Sequence, residues 1–139
     1  MSADMEHIKE RVSQCPYCTS LGFEVVEVRP GYARVAATVK PEHYNWMGRT
    51  HGAWVMSLAD YAASIAGNTI PGNYVAIQFN IHFLSSPEAG ERVEAECWMV
   101  HQGKTLGLVE MRVTGKDGRL IAHGTSNVLS IGERASRRR

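Results

Sequence analysis

The sequence predicts an α+β domain in which one long helix is covered by a dominant antiparallel sheet. Three observations lead there. From Tyr74 onward apolar and polar residues alternate with a period of two, interrupted only by short turn signals, as strands require. Before that stretch, His51 to Gly67 is built mainly of Ala, Ser, Met, Leu and Trp, without Pro and with little β-branching, as a helix requires. Between Arg49 and Glu88, 38 residues carry a single formal charge, Asp60, so the helix is apolar nearly all round and is expected to be wrapped by sheet. With 139 residues, 44% apolar and 21% charged, the chain suits one domain, placed at 1–132, followed by a basic, disordered tail at 133–139.

Met5 to Gln14 reads as a short polar helix. Phe23 to Arg29 and Tyr32 to Val39 are Val-rich runs separated by Pro30-Gly31, a hairpin pattern. Lys40 to Thr50 is a loop into the long helix, which begins at Thr50 or His51 and ends at Gly67-Asn68, with Pro71-Gly72 beyond. Such a helix is roughly 24 Å long, comparable to a strand of about seven residues. In the next segment Val75, Ile77, Phe79, Ile81 and Phe83 share one strand face, and Ala76, Gln78, Asn80, His82 and Leu84 the other. Pro87 to Glu91 breaks this run and Arg92 to His101 resumes it. Gln102-Gly103-Lys104 turns, Thr105 to Thr114 continues, Lys116-Asp117-Gly118 is a hairpin signal, and Leu120 to Ile131 is the last strand. The expected order is helix, two strands, long helix, then four strands in a meander.

Charge and cysteine usage exclude several function classes. The net charge is +1; the last seven residues hold four Arg and one Glu, or +3, which leaves −2 for the body. A mildly acidic body lacks the basic face that phosphate backbones need, so no nucleic-acid partner is expected. No apolar run approaches the roughly 20 residues of a membrane span, and Met1-Ser-Ala-Asp-Met-Glu-His has no basic or apolar leader pattern, so the expectation is a cytoplasmic protein without a membrane partner. Three cysteines are no disulfide scaffold. Cys15-Pro-Tyr-Cys18 spells a CxxC, yet a redox CxxC follows a strand and opens a helix whose dipole lowers the first thiol's pKa. Here a helix precedes it and no βαβ pattern follows. A metal would need two further ligands, and Cys97 stands alone in a strand, so neither metal nor cofactor is expected.

Asp60 carries the functional argument. An ionised carboxylate in an apolar helix must be paired, hydrogen-bonded, shifted in pKa or open to a ligand cavity. No Lys or Arg lies one turn away; its neighbours on the same face are Met56, Ser57, Ala63 and Ser64. That points to an acid, a base or a nucleophile. The second clue is Asn45-Trp-Met-Gly48-Arg-Thr-His51-Gly52-Ala53 at the helix start. Unpaired N–H groups at a helix N-terminus, with its dipole, form an anion or oxyanion site, and a glycine there allows close approach.

Gly48-x-x-His51-Gly52-x-x-x-x-x-Leu58-Ala59-Asp60 resembles the signature of the PaaI-like acyl-CoA thioesterases of the hotdog fold, with Ala53 in place of a second glycine. The likeness runs from Leu21-Gly22 through Asn80-Ile81-x-Phe83-Leu84-x-x-Pro87 and Gly103-Lys104-Thr105 to Gly118-x-Leu120-Ile121-Ala122. It implies a long antiparallel sheet wrapped around one central helix, and hydrolysis of an acyl-CoA or aryl-acyl-CoA to free acid and CoA. It further implies that the Gly52 N–H and Asn45 polarise the thioester carbonyl, that His51 supports their loop, and that Asp60 activates water or attacks directly. Several relatives place a Ser or Thr near the start of the following strand, where this chain has Ala76.

Gly52 and Asp60 are eight residues apart, about 12 Å along a helix, too far to touch one thioester. If both act they come from different chains, which makes a homodimer with antiparallel central helices a mechanistic requirement. The family is similarly dimeric, often a dimer of dimers. Trp46, Trp54, Met56 and Tyr61 are candidates to line the acyl group, Phe83 to Pro87 to flank pantetheine, and Lys104 or Arg92 to meet the CoA phosphates. Two rivals share the fold: an enoyl- or hydroxyacyl-CoA hydratase, which would pair its acid with a positioned His, and a non-catalytic acyl-CoA-binding protein, which would lack the acid.

Overall fold

In the computed structural model, residues 3–132 are described; the basic segment 133–139 lies outside them. Helix α1 (Ala3–Val12) leads into a five-residue helix α2 (Pro16–Ser20), then strands β1 (Glu24–Arg29) and β2 (Tyr32–Thr38). A 3-10 turn at Pro41–His43 precedes the long helix α3 (Gly52–Gly67). Strands β3 (Tyr74–Phe83), β4 (Arg92–Gln102), β5 (Leu106–Thr114) and β6 (Leu120–Ser130) follow. The sheet is antiparallel throughout the described residues, in the order β1-β2-β4-β5-β6-β3.

The expected succession of long elements is present, with three corrections. Helix α2 is additional; five residues are too few for a helical period to register. β3 does not pair with β4 but lies beyond β6, as an edge strand. The segment between β3 and β4 has eight residues, including Pro87, more than the two to about five of a hairpin turn, and it crosses the end of the sheet. At one end of that crossing the Leu84 and Ser85 N–H groups donate to Ile121, and at the other the Val39 N–H donates to Glu91. Third, a bulge between Ala76 and Gln78 divides the faces of β3. Directly paired residues share a face, so Ala76 opposite Val128 and Phe79, Ile81 and Phe83 opposite Ser126, Gly124 and Ala122 all point to the helix side. Val75, opposite Leu129, points outward, and Ile77 is the extra residue of the bulge.

The core lies between α3 and the concave face of the sheet. Leu58 and Ile65 of α3 pack there with Val35, Cys97, Val109, Met111, Val113 and Ile121, all essentially inaccessible to solvent. Burying each side chain the size of Leu58 contributes about 1.5–3 kcal/mol. Ala33 and Ala37 on β2 and Ala95 on β4 are small enough to let α3 approach closely. The convex face is polar and laced across strands: the Tyr32 hydroxyl donates to Glu96 at 2.9 Å and Arg34 meets Glu94 at 3.3 Å.

The sheet does not enclose α3. Ala53, Met56, Asp60, Ser64 and Asn68 are exposed, one continuous stripe along the helix. The near absence of charge in this segment signals burial on most sides, and it does not say that the chain itself supplies all the cover.

Candidate active site

The loop before α3 is closed by Asn45, whose Oδ1 accepts from the Met47 N–H at 2.9 Å and the Arg49 N–H at 3.1 Å. Gly48 completes the turn at φ +78°, a conformation that side chains other than those of Gly, Asn and Asp rarely adopt. With Oδ1 so engaged, the Asn45 amide has its NH2 group left to offer a ligand. The same turn thrusts Trp46 and Met47 into solvent, 91% and 58% exposed. Behind it, buried Thr50 donates to the Pro87 carbonyl at 2.9 Å and the His51 N–H donates to the His43 carbonyl at 2.8 Å. These bonds fix the point at which α3 begins.

His51 is the N-cap. Its Nδ1 accepts from the Ala53 N–H at 3.0 Å, which assigns the ring proton of the neutral imidazole to Nε2. Gly52 is the first helical residue, and no acceptor among the described residues meets its N–H. The Phe83 ring packs over it so closely that a Cβ at Gly52 would lie 3.3 Å from the ring. Gly52 therefore combines a free N–H at a positive helix end with the absence of a side chain that Phe83 would have to yield to.

Two turns further on, Asp60 occupies the middle of the uncovered stripe. Among the described residues it has no hydrogen-bond or ion-pair partner. Solvent reaches it in the single chain, yet enough protein surrounds the carboxyl that desolvation by burial raises its pKa above the ordinary aspartate range. It is thus a lone, strengthened base. Its charge is also felt by Cys18, whose thiol is pushed up to about 12 by burial, by Cys15 and by Asp60. The two sulfurs stand 3.0 Å apart. A thiol so shifted is the reverse of an activated one, and the CxxC follows α1 rather than a strand, as expected.

The remaining residues fall in different places. Trp54 and Tyr61 are on the core side of α3, 4% and 5% exposed. Trp54 stacks on His43 and meets Phe23 edge-on, and its buried Nε1 has no acceptor among the described residues; Tyr61 stacks on Phe23 and donates to the Val12 carbonyl. Neither reaches the stripe that holds Asp60. Phe83 is brought to Gly52, whereas Lys104 lies at the other end of α3, in a turn that receives the Tyr74 hydroxyl on Gly103. Arg92 is engaged by Glu24 at 2.6 Å. One residue to which the sequence reading gives no site role borders the stripe: Tyr17 of α2, whose hydroxyl is 2.9 Å from Ser57 Oγ. Its partner is 40 positions away, so no local pattern reveals the contact.

Comparison with known proteins gives concordant results. Residues 47–122 match the family model described as the thioesterase superfamily. The chain is 30% identical over 103 residues to the acyl-coenzyme A thioesterase PaaI of Escherichia coli, an alignment covering 74% of each chain. The solved structure of that E. coli protein superposes with a TM-score of 0.84 over 92% of this chain and 96% of that one, at 26% identity. Human acyl-coenzyme A thioesterase 13 is 31% identical over 105 residues, 72% of this chain and 74% of the human protein. The structure of smu.793 from Streptococcus mutans, solved with acetyl CoA bound, gives a TM-score of 0.77 at 25% identity over 81% of this chain and 90% of that one.

Proposed function

Because the chain belongs to the thioesterase superfamily and has its hotdog fold, we propose that it hydrolyses acyl-CoA thioesters at a site shared between two subunits. One observation carries this reading: a partly desolvated carboxylate, Asp60, on the uncovered face of a helix whose first N–H is at Gly52, both groups without a partner among the described residues. Once the stripe is covered, an acid with no structural partner and a donor with no acceptor are costly to retain. Both are accounted for if a thioester comes between them.

Within one chain it cannot. The eight residues from Gly52 to Asp60 span about 12 Å along the helix axis. Two copies of α3 packed antiparallel along their uncovered stripes would bring Asp60 of one subunit to Gly52 of the other. The same two-fold arrangement would pair the free outer edge of β3, a ten-residue strand with Ile77 55% exposed. A long unpaired edge of that kind invites another strand, so helix and edge call for the same partner, a second copy of this chain.

In the shared site, the thioester carbonyl oxygen would sit on the Gly52 N–H and the Asn45 amide, with His51 keeping the helix start in place. Asp60 would take a proton from water while the resulting hydroxide attacks the carbonyl carbon. As the C–S bond breaks, the oxyanion collapses to the acid and the CoA thiolate takes the proton from Asp60. Burial that raises the Asp60 pKa favours this general-base role, and a preorganised oxyanion donor contributes several kcal/mol. Pantetheine would pass the Phe83 to Pro87 segment, and Lys104, at the far end of α3, would reach the phosphates only from the second subunit. The test is hydrolysis of an acyl-CoA panel followed with a thiol reagent. Asp60→Asn should lower kcat by at least about 10², the low end for a positioned acid or base, with unchanged circular dichroism. An equally active Asn variant would remove Asp60 from the chemistry.

A further inference from the structure

The uncovered stripe of α3 has two banks. On one, Phe83 at the end of β3 covers Gly52. On the other stands α2, whose Tyr17 hydroxyl reaches Ser57 at 2.9 Å. Ser57 lies three residues before Asp60, so their side chains share one face of the helix about 4.5 Å apart along its axis. The short helix that carries Tyr17 is anchored to its surroundings. Cys18 beside it is buried, its carbonyl accepts from the Leu21 and Phe23 N–H groups, and Thr19 Oγ1 ties the helix back to the Cys15 carbonyl at 2.7 Å. Yet the Tyr17 residue is 60% exposed, an aromatic ring fixed beside the stripe and left largely uncovered by its own chain.

We propose that Tyr17 is a specificity-determining residue, its ring forming the end wall of the acyl site in the subunit that supplies Asp60 and restricting the enzyme to short acyl chains. The inference rests on Asp60 acting on the thioester as described above. A carbonyl carbon within reach of Asp60 has two directions of exit. Its sulfur side runs toward the Phe83 bank, which leaves the α2 bank for the acyl group. There, one helical turn from Asp60, a straight chain of more than a few carbons meets the ring that anchored α2 presents. Nothing else described on that side of the stripe presents an aromatic surface to it.

The test measures kcat/KM for straight-chain acyl-CoAs from acetyl to palmitoyl with wild type, Tyr17→Ala and Tyr17→Trp. Ratios between substrates are taken within one preparation, so a partly unfolded variant still reports its own profile. Tyr17→Ala should raise the decanoyl-to-butyryl ratio by at least about tenfold, the scale on which an apolar pocket discriminates by size, and Tyr17→Trp should lower it. Tyr17→Phe, which keeps the wall and loses only the bond to Ser57, should hold the ratio near the wild-type value. A wild type that hydrolyses acyl-CoAs, with ratios unmoved in the Ala and Trp variants, overturns the role of Tyr17 alone. A wild type that hydrolyses none of them overturns the thioesterase reading and this inference with it.

Discussion

In the general-base role proposed above, Asp60 places activity and stability in opposition. Desolvation raises its pKa in the folded chain, so between the unfolded and folded pKa values the folded state binds more protons and stability falls as pH rises. Above both values that deficit persists. Asp60→Asn, besides its loss of turnover, should therefore melt at a higher temperature than wild type at neutral pH, with the difference shrinking in acid; calorimetric melts across the acidic range measure this. Catalysis has the reverse dependence, because a base acts only when ionised. The acid limb of kcat/KM should lie above the pH at which an ordinary aspartate titrates, and a limb at or below that pH would contradict the burial of the carboxyl. At this scale the sequence is legible where a residue is chemically alone. Asp60 stands out as the single charge among 38 residues, and Gly52 by its place at a helix start. Trp54 and Tyr61 are not legible in this way. Aromatic residues on an apolar helix look the same whether they face a core or a ligand, and only packing against Phe23 and His43 places them inside.

Elements are held in register by a few buried polar clamps, of which Glu91 is the clearest. Its side chain is 6% exposed, accepts from the Glu88 and Lys116 N–H groups at 2.9 and 2.8 Å, and meets Arg119 at 2.9 Å. It thereby joins the β3 to β4 crossing to the β5–β6 hairpin. Burial alone would raise its pKa, but the two backbone donors and the guanidinium outweigh burial and hold it below the usual carboxylate range. The stability it contributes is full above the unfolded pKa and is lost as pH falls through the folded one. Glu91→Ala strips three donors of their acceptor and should cost about 2–3 kcal/mol, read as a lower urea midpoint with unchanged slope. The β5–β6 turn was legible as Lys116-Asp117-Gly118, and the structure places Asp117 and Gly118 at φ +59° and +74°. The neighbour of β3 was not legible. Periodicity fixes what a strand is but not what it lies beside, and a single bulge residue, Ile77, was enough to exchange the faces of Val75 and Ala76 while Phe79, Ile81 and Phe83 kept the shared face read from the alternation.

For the whole molecule, the separation of Gly52 from Asp60 gives the most exacting test of the dimer. Asp60→Asn subunits mixed with Gly52→Pro subunits should regain activity, because each mixed dimer carries one doubly altered site and one intact site. Proline is tolerated at a first helical position and lacks the N–H in question, and Phe83, 53% exposed, has room to yield to the ring. If mass spectrometry shows exchange and the mixed dimers stay inactive, the two residues do not meet across an interface. The uncovered stripe of α3 was not legible in the sequence, because one chain's pattern shows only that the helix is mostly apolar; in the proposed dimer its cover comes from the second chain. The Asn45 turn adds an optical consequence. Of the three tryptophans in the sequence, Trp54 is buried and Trp46 is 91% exposed at the tip of that turn. Trp46 should emit at long wavelength and be open to iodide quenching, whereas Trp54 should emit in the blue and resist it. Any association or ligand that covers the tip would then shift the red-edge spectrum without labelling the protein.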